Sequence, residues 1–139
     1  MQPTSILFPV LVQVGLTYAV LVALGPARSR SMHENKQQLT DDDVRLGRNA
    51  WSEQATKVAN NYRNQLELPV LFYAVVAFAL ITSGVDLVML VLAWVFALSR
   101  IVHAALHIGP NIVMLRGLAF LVGAAALLAM WAKLALHIL

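Results

Sequence analysis

Four side chains in the stretch SRIVHAALHIGPNIVMLRG could do chemistry: Arg100, His103, His107 and Arg116. The first three stand at i, i+3 and i+7, so on a helix they share one face. Guanidinium and imidazole groups side by side suit hydrogen bonding to an anion, or stabilisation of a developing negative charge. The surrounding sequence is apolar, and ionisable groups within a membrane segment are costly unless they line a bundle interior or a polar cavity. A second polar stretch, Arg63, Asn64 and Glu67, lies at the start of another apolar run. A glutamate at that depth needs a cation, and Arg100 or Arg63 is expected to supply it. Taken alone, Glu67 and Arg100 read equally as a buried pair fixing helix register or as part of a ligand site. Together, Arg63, Arg100 and Arg116 outnumber Glu67, which leaves positive charge suited to a small anion bearing carboxylates.

His103 and His107 also have the i, i+4 spacing of metal ligands. No third ligand stands at a fitting distance in sequence, and the neighbouring guanidinium groups oppose a bound cation. Hydrogen bonding is the preferred reading, and no metal is expected.

The elements that must position these groups are membrane helices. The chain has 139 residues, 60% hydrophobic and 12% charged, with a mean hydropathy of +0.73. A soluble domain is about 45–50% apolar and about 25% charged, and a chain this short cannot hide such an excess in one core. The class is all-α: an integral membrane four-helix bundle in one domain, 1–139. There are no cysteines, hence no disulfides and no thiolate ligands.

Four apolar segments are expected as helices over about 5–25, 51–82, 86–108 and 112–137. Pro26 is taken as the end of the first, which lacks a signal peptide's basic start and cleavage site and is read as retained. Gln13 and Thr17 form a mild polar stripe on it, expected to bond to a neighbouring helix. A polar loop over about 26–50 holds most of the charge, with Thr40 and Asp41 to Asp43 resembling a helix start. Trp51, Ala55, Val58 and Tyr62 recur at helical spacing, so the second helix is expected to begin outside the bilayer and enter it as one rod. Pro69 removes the usual donor to the Gln65 carbonyl. Turns are expected at Thr82-Ser83-Gly84 and Gly109-Pro110-Asn111. Ala119/Gly123 and Ala125/Ala129 have the small-xxx-small spacing of close helix contacts.

Because the basic residues concentrate in the first loop, that loop is expected in the cytoplasm and both termini outside. Arg63, Glu67, Arg100, His103, His107 and Arg116 then meet at one depth near one membrane face. Asp86 and Lys133 are the exceptions. A charge cluster at one face argues against a transporter, whose site tends to lie near the midplane.

RNQLELPVLF (Arg63 to Phe72), together with Arg100-x2-His103-x3-His107 followed by Arg116, resembles the paired motifs of MAPEG proteins, the membrane-associated proteins of eicosanoid and glutathione metabolism. The likeness covers the whole chain and suggests a bacterial-type member, in an inner membrane. It implies a homotrimer that binds glutathione as co-substrate between neighbouring subunits. By the same resemblance Arg63, Asn64, Glu67, His103 and His107 correspond to glutathione contacts, and Arg100 to the polar lining. Arg28 or Arg30 would reach the peptide's carboxylates, and Arg116 would stabilise the thiolate. The implied function is a glutathione-dependent membrane transferase or peroxidase acting on lipophilic electrophiles. The alternative is a non-catalytic lipid-binding or scaffold protein of the same fold. The expected partners are further copies of the chain, membrane lipids and a lipophilic small molecule, with no nucleic acid. Three positions depart from the family pattern. His107 stands where tyrosine is usual, and Gly117 and Phe120 stand where the prostaglandin E synthase branch has a hydroxyl and a tyrosine, so prostaglandin isomerisation is not expected.

Overall fold

The computed structural model of the chain describes residues 2–34, 40–46 and 51–139. Lys36 and Arg48, two of the loop's basic residues, lie outside the described residues. After a short 3-10 turn at Pro3–Ile6, the helices are α1 (Leu7–Glu34), α2 (Asp41–Leu46), α3 (Glu53–Leu66), α4 (Leu68–Ile81), α5 (Leu87–Ile108) and α6 (Val113–Ile138). Among the described residues four units are long and apolar enough to cross a membrane, with α3 and α4 together forming the second. The exterior bears this out: Leu11, Val22, Ile81, Val113 and Leu136 are exposed apolar side chains suited to lipid.

Two expectations about helix ends need correction. The first helix does not stop at Pro26 but runs on to Glu34 with the proline inside it. Proline costs the Val22 carbonyl its donor, yet the extension is tied down from outside, where buried Ser31 accepts a 2.6 Å hydrogen bond from the Ser52 backbone N–H. Arg28 and Arg30 are therefore helical rather than in a loop. The second span, conversely, is not one rod. Pro69 cannot donate to the Gln65 carbonyl and its ring crowds that turn. The backbone gives way at Glu67 (φ −92°, ψ −90°), and α4 restarts with the proline in its first turn. Ser52 rather than Trp51 opens α3, its hydroxyl accepting from Ala55 N–H.

The two short turns fall where expected. Their left-handed residues are Ser83 and Asn111, not the neighbouring glycines. α5 and α6 share the most extensive helix interface. Buried Gly123 makes it possible, because a Cβ there would land on Ser99 Oγ. An apolar core near the two termini stacks Phe72 on Phe96 (4.4 Å between ring centroids) among Met89 and Met130. Gln13 does bond to another helix, donating to Gln65 Oε1 at 2.8 Å. Gln65 in turn donates to Asn61, and Asn61 to the Ala104 carbonyl. Buried polar groups in lipid must be satisfied internally, and this chain of amides fixes α1, α3 and α5 in register.

Candidate functional site

The cavity lies at the end of the bundle where α1 ends and α3 begins. It measures about 520 Å³, within the range of small-molecule sites. Arg63, Asn64 and Glu67 from α3 and its break face His103 and His107 from α5, with Arg116, Gly117 and Phe120 from α6. Sequence spacing alone brought these residues to one depth, and the structure joins them around one space. The break after Leu66 places Glu67 at the cavity lip, where it is exposed.

Asn64 is the hub, more than its sequence context announced. Its side-chain nitrogen approaches His103 Nε2 (3.3 Å) and His107 Nδ1 (3.4 Å), one amide hydrogen for each ring. His103 Nδ1 lies 3.0 Å from the Arg116 carbonyl, which can only accept, so that nitrogen carries the proton. Both His103 nitrogens are thus used by the protein. His107, accepting at Nδ1, keeps an Nε2–H free to donate into the cavity. The network assigns these tautomers. His103 holds the wall in place, and His107 offers the donor.

Arg116 is aimed by a residue that sequence reading treated only as a turn. Asn111 Oδ1 accepts from Arg116 Nη1 at 2.7 Å, and the left-handed backbone of Asn111 brings its side chain back over the start of α6. Asparagine tolerates that conformation better than most residues. A Gly-Pro-Asn turn five residues before Arg116 was the available signal.

Arg100 departs from expectation. It is not on the cavity surface but fully buried behind it. Its Nη2 donates to the Asn64 carbonyl at 2.8 Å. That carbonyl is in the last turn of α3, where the interrupted ladder leaves acceptors without intrahelical donors. Arg100 therefore caps the broken helix, with its guanidinium 5.8 Å from the centre of the Phe120 ring. Its Nε and Nη1 have no partner among the described residues. The pair expected with Glu67 is not formed: among the described residues the ion pairs within 4 Å are Lys57–Glu53 and Lys133–Asp86. Opening the backbone at Glu67 turns its carboxylate toward the cavity.

Arg28 and Arg30 also lie away from this cavity. Arg28 sits over the Trp51 ring at 5.3 Å. Arg30 lines a separate hollow beside α3.

Fold and site together define a four-span integral membrane protein with a cation-rich cavity at one end of its bundle. The chain belongs to the MAPEG family, whose sequence model it matches over residues 6–136, nearly its whole length. Neither the search of curated proteins nor that of solved structures found a match.

Proposed function

We propose that this protein is a glutathione-dependent membrane transferase or peroxidase acting on lipophilic electrophiles. The observation that carries the reading is the charge set of the cavity: two guanidinium groups, Arg63 and Arg116, against one carboxylate, Glu67. Glutathione offers the complement, with two carboxylates, one ammonium and a thiol that reacts as its thiolate. Arg63 suits a carboxylate as a planar two-pronged donor. Glu67, in no ion pair within 4 Å among the described residues, suits the ammonium. Asn64 and the His107 Nε2–H supply neutral hydrogen bonds. The family supports the ligand, since it includes glutathione transferases and peroxidases.

In the proposed chemistry Arg116 favours the anionic form of the thiol by direct electrostatic stabilisation. The sulfur lone pair forms a bond to the electrophilic carbon. The leaving group departs with the electrons of the broken bond and takes a proton from water. Asn111 keeps the guanidinium oriented through the step. The apolar flanks of the cavity, Gly117 and Phe120, fit a substrate arriving from the bilayer. The homotrimer typical of the family, an inner-membrane location and a cavity open to the cytoplasm belong to the same proposal.

A second reading, a lipid-binding or scaffold protein of this fold, is favoured by one feature. Among the described residues no lining residue of the cavity carries a hydroxyl, so guanidinium, amide and imidazole groups alone are left to donate to the sulfur. Conjugation of a model electrophile by the purified protein separates the two. Arg116→Ala is expected to lower turnover about 100-fold, the usual cost of removing one preorganised charge stabiliser. Equal turnover in wild type and variant would reject the role given to Arg116.

A further inference from the structure

Two hollows outside the cavity meet end to end along α1. The first is an apolar groove of about 420 Å³ between α1 and α5, walled by Leu16, Val20 and Ala23 on one side and Ile101, Ala105 and Ile108 on the other. The second, about 650 Å³, lies toward the end of α1 against the start of α3 and carries Arg30, Glu34, Glu53 and Lys57. Ala23 and Ile108 line both, so the two hollows adjoin. We infer that this composite groove is a binding site for a phospholipid with a primary-amine headgroup.

Depth supports the inference first. At about 1.5 Å per residue, Ala23 lies about 10 Å below Arg30 and Leu16 about 21 Å below it. One leaflet contributes about 15 Å of hydrocarbon. A phosphate at the level of Arg30 therefore has its acyl chain in the groove, within about one leaflet. The polar hollow stands where the headgroup must be.

Charge then selects the headgroup. The hollow carries two cations and two anions. Lys57 and Glu53 already neutralise each other at 2.6 Å. Arg30 and Glu34, at i, i+4 on the extension of α1, form no ion pair within 4 Å with any described residue, although helix geometry would allow one between them. One guanidinium and one carboxylate are thus left on one wall. That arrangement matches a phosphate linked to an ammonium two carbons away. A primary ammonium donates hydrogen bonds to Glu34, whereas a trimethylated one has no N–H to give. An acidic headgroup without an amine leaves Glu34 facing like charge.

The site shares no residue with the cavity lined by Glu67 and Arg116; of the two arginines that the family resemblance offers to glutathione's carboxylates, the inference gives Arg30 to the lipid and leaves Arg28. Size argues against a second copy as occupant. One turn of a helix about 10 Å across fills about 420 Å³, the whole groove, so the space admits a flexible chain rather than a helix.

The test is native mass spectrometry of the detergent-purified protein with phosphatidylethanolamine, phosphatidylcholine and phosphatidylglycerol of identical acyl chains. Ethanolamine lipid is expected to bind about tenfold more tightly than the other two, the worth of one charge-assisted hydrogen bond. Arg30→Gln should weaken all three lipids. Glu34→Gln should abolish only the preference, and Ala105→Trp should displace lipid by filling the groove. Arg30 and Glu34 are exposed, so their substitutions leave the fold intact. Equal binding of the three lipids, or retention unchanged by Arg30→Gln and Ala105→Trp together, would overturn the proposal. The chain has no cysteine, so Ala105→Cys also reports on the rival occupant: efficient disulfide linkage of two copies through that position would assign the groove to a second chain.

Discussion

Asn64 and Arg100 show how little of a residue's role its charge reveals. Arg100 is the most conspicuous ion within the third span, yet it is sealed from the cavity and serves the backbone carbonyl of Asn64. Asn64, uncharged, addresses both histidines and holds the wall together. Arg100→Ala would leave that last-turn carbonyl of α3 buried without a donor. A lost partner of this kind costs about 1–3 kcal/mol, which a thermal unfolding scan in detergent should show as a lowered Tm. His103→Ala should act mainly on stability, because both ring nitrogens are used internally, whereas His107→Ala should act mainly on ligand affinity. Sequence spacing put Arg100, His103 and His107 on one face of α5. It could not say which faced inward, because that depends on where the backbone opens at Glu67.

At the scale of elements, the break at Glu67, the turn at Asn111 and the close approach of α5 to α6 together shape the cavity. Gly123→Ala should destabilise the bundle by about 1–3 kcal/mol through overpacking against Ser99. Adding Ser99→Ala should restore part of the loss, since contacting residues couple in a double-mutant cycle. The small-residue spacing Ala119/Gly123 announced this contact, while Ala125 of the second such pair is exposed. At the opposite end, Asp86 opens α5 by accepting from Met89 N–H and pairs with Lys133 at 2.7 Å. His137 completes the latch with the Thr82 carbonyl. Lys133 and the Met89 N–H hold the Asp86 carboxyl below its ordinary value. The folded pKa is the lower one, so this bridge stabilises above the ordinary carboxylate value of about 4 and is lost as pH falls through the folded value. The Tm difference between wild type and Lys133→Met should therefore be present at neutral pH and vanish in acid, once the Asp86 carboxyl is protonated in the folded state as well. Helix ends were the least legible feature in sequence. Pro26 and Pro69 look alike there, but Ser31 and Ser52 hold the first helix together, and nothing equivalent bridges the turn at Glu67.

Across the whole molecule, polarity is segregated: apolar spans outside, an amide chain through the middle, and a cation-rich cavity at one end. Composition and hydropathy made the four spans plain, because a bilayer tolerates so few alternatives. The cavity was legible as a set of residues but not as a surface. Arg28 and Arg30, on the extended α1, do not line it within a single chain. The central claim is that this cavity binds glutathione through Glu67, Arg63 and Arg116. Isothermal titration calorimetry of the purified protein with glutathione tests it most directly, with Glu67→Gln alongside. Saturable binding at millimolar glutathione or below, weakened about tenfold by Glu67→Gln through loss of one charge-assisted hydrogen bond, is the predicted result. No heat of binding at millimolar glutathione, or an isotherm indifferent to Glu67→Gln, would contradict it.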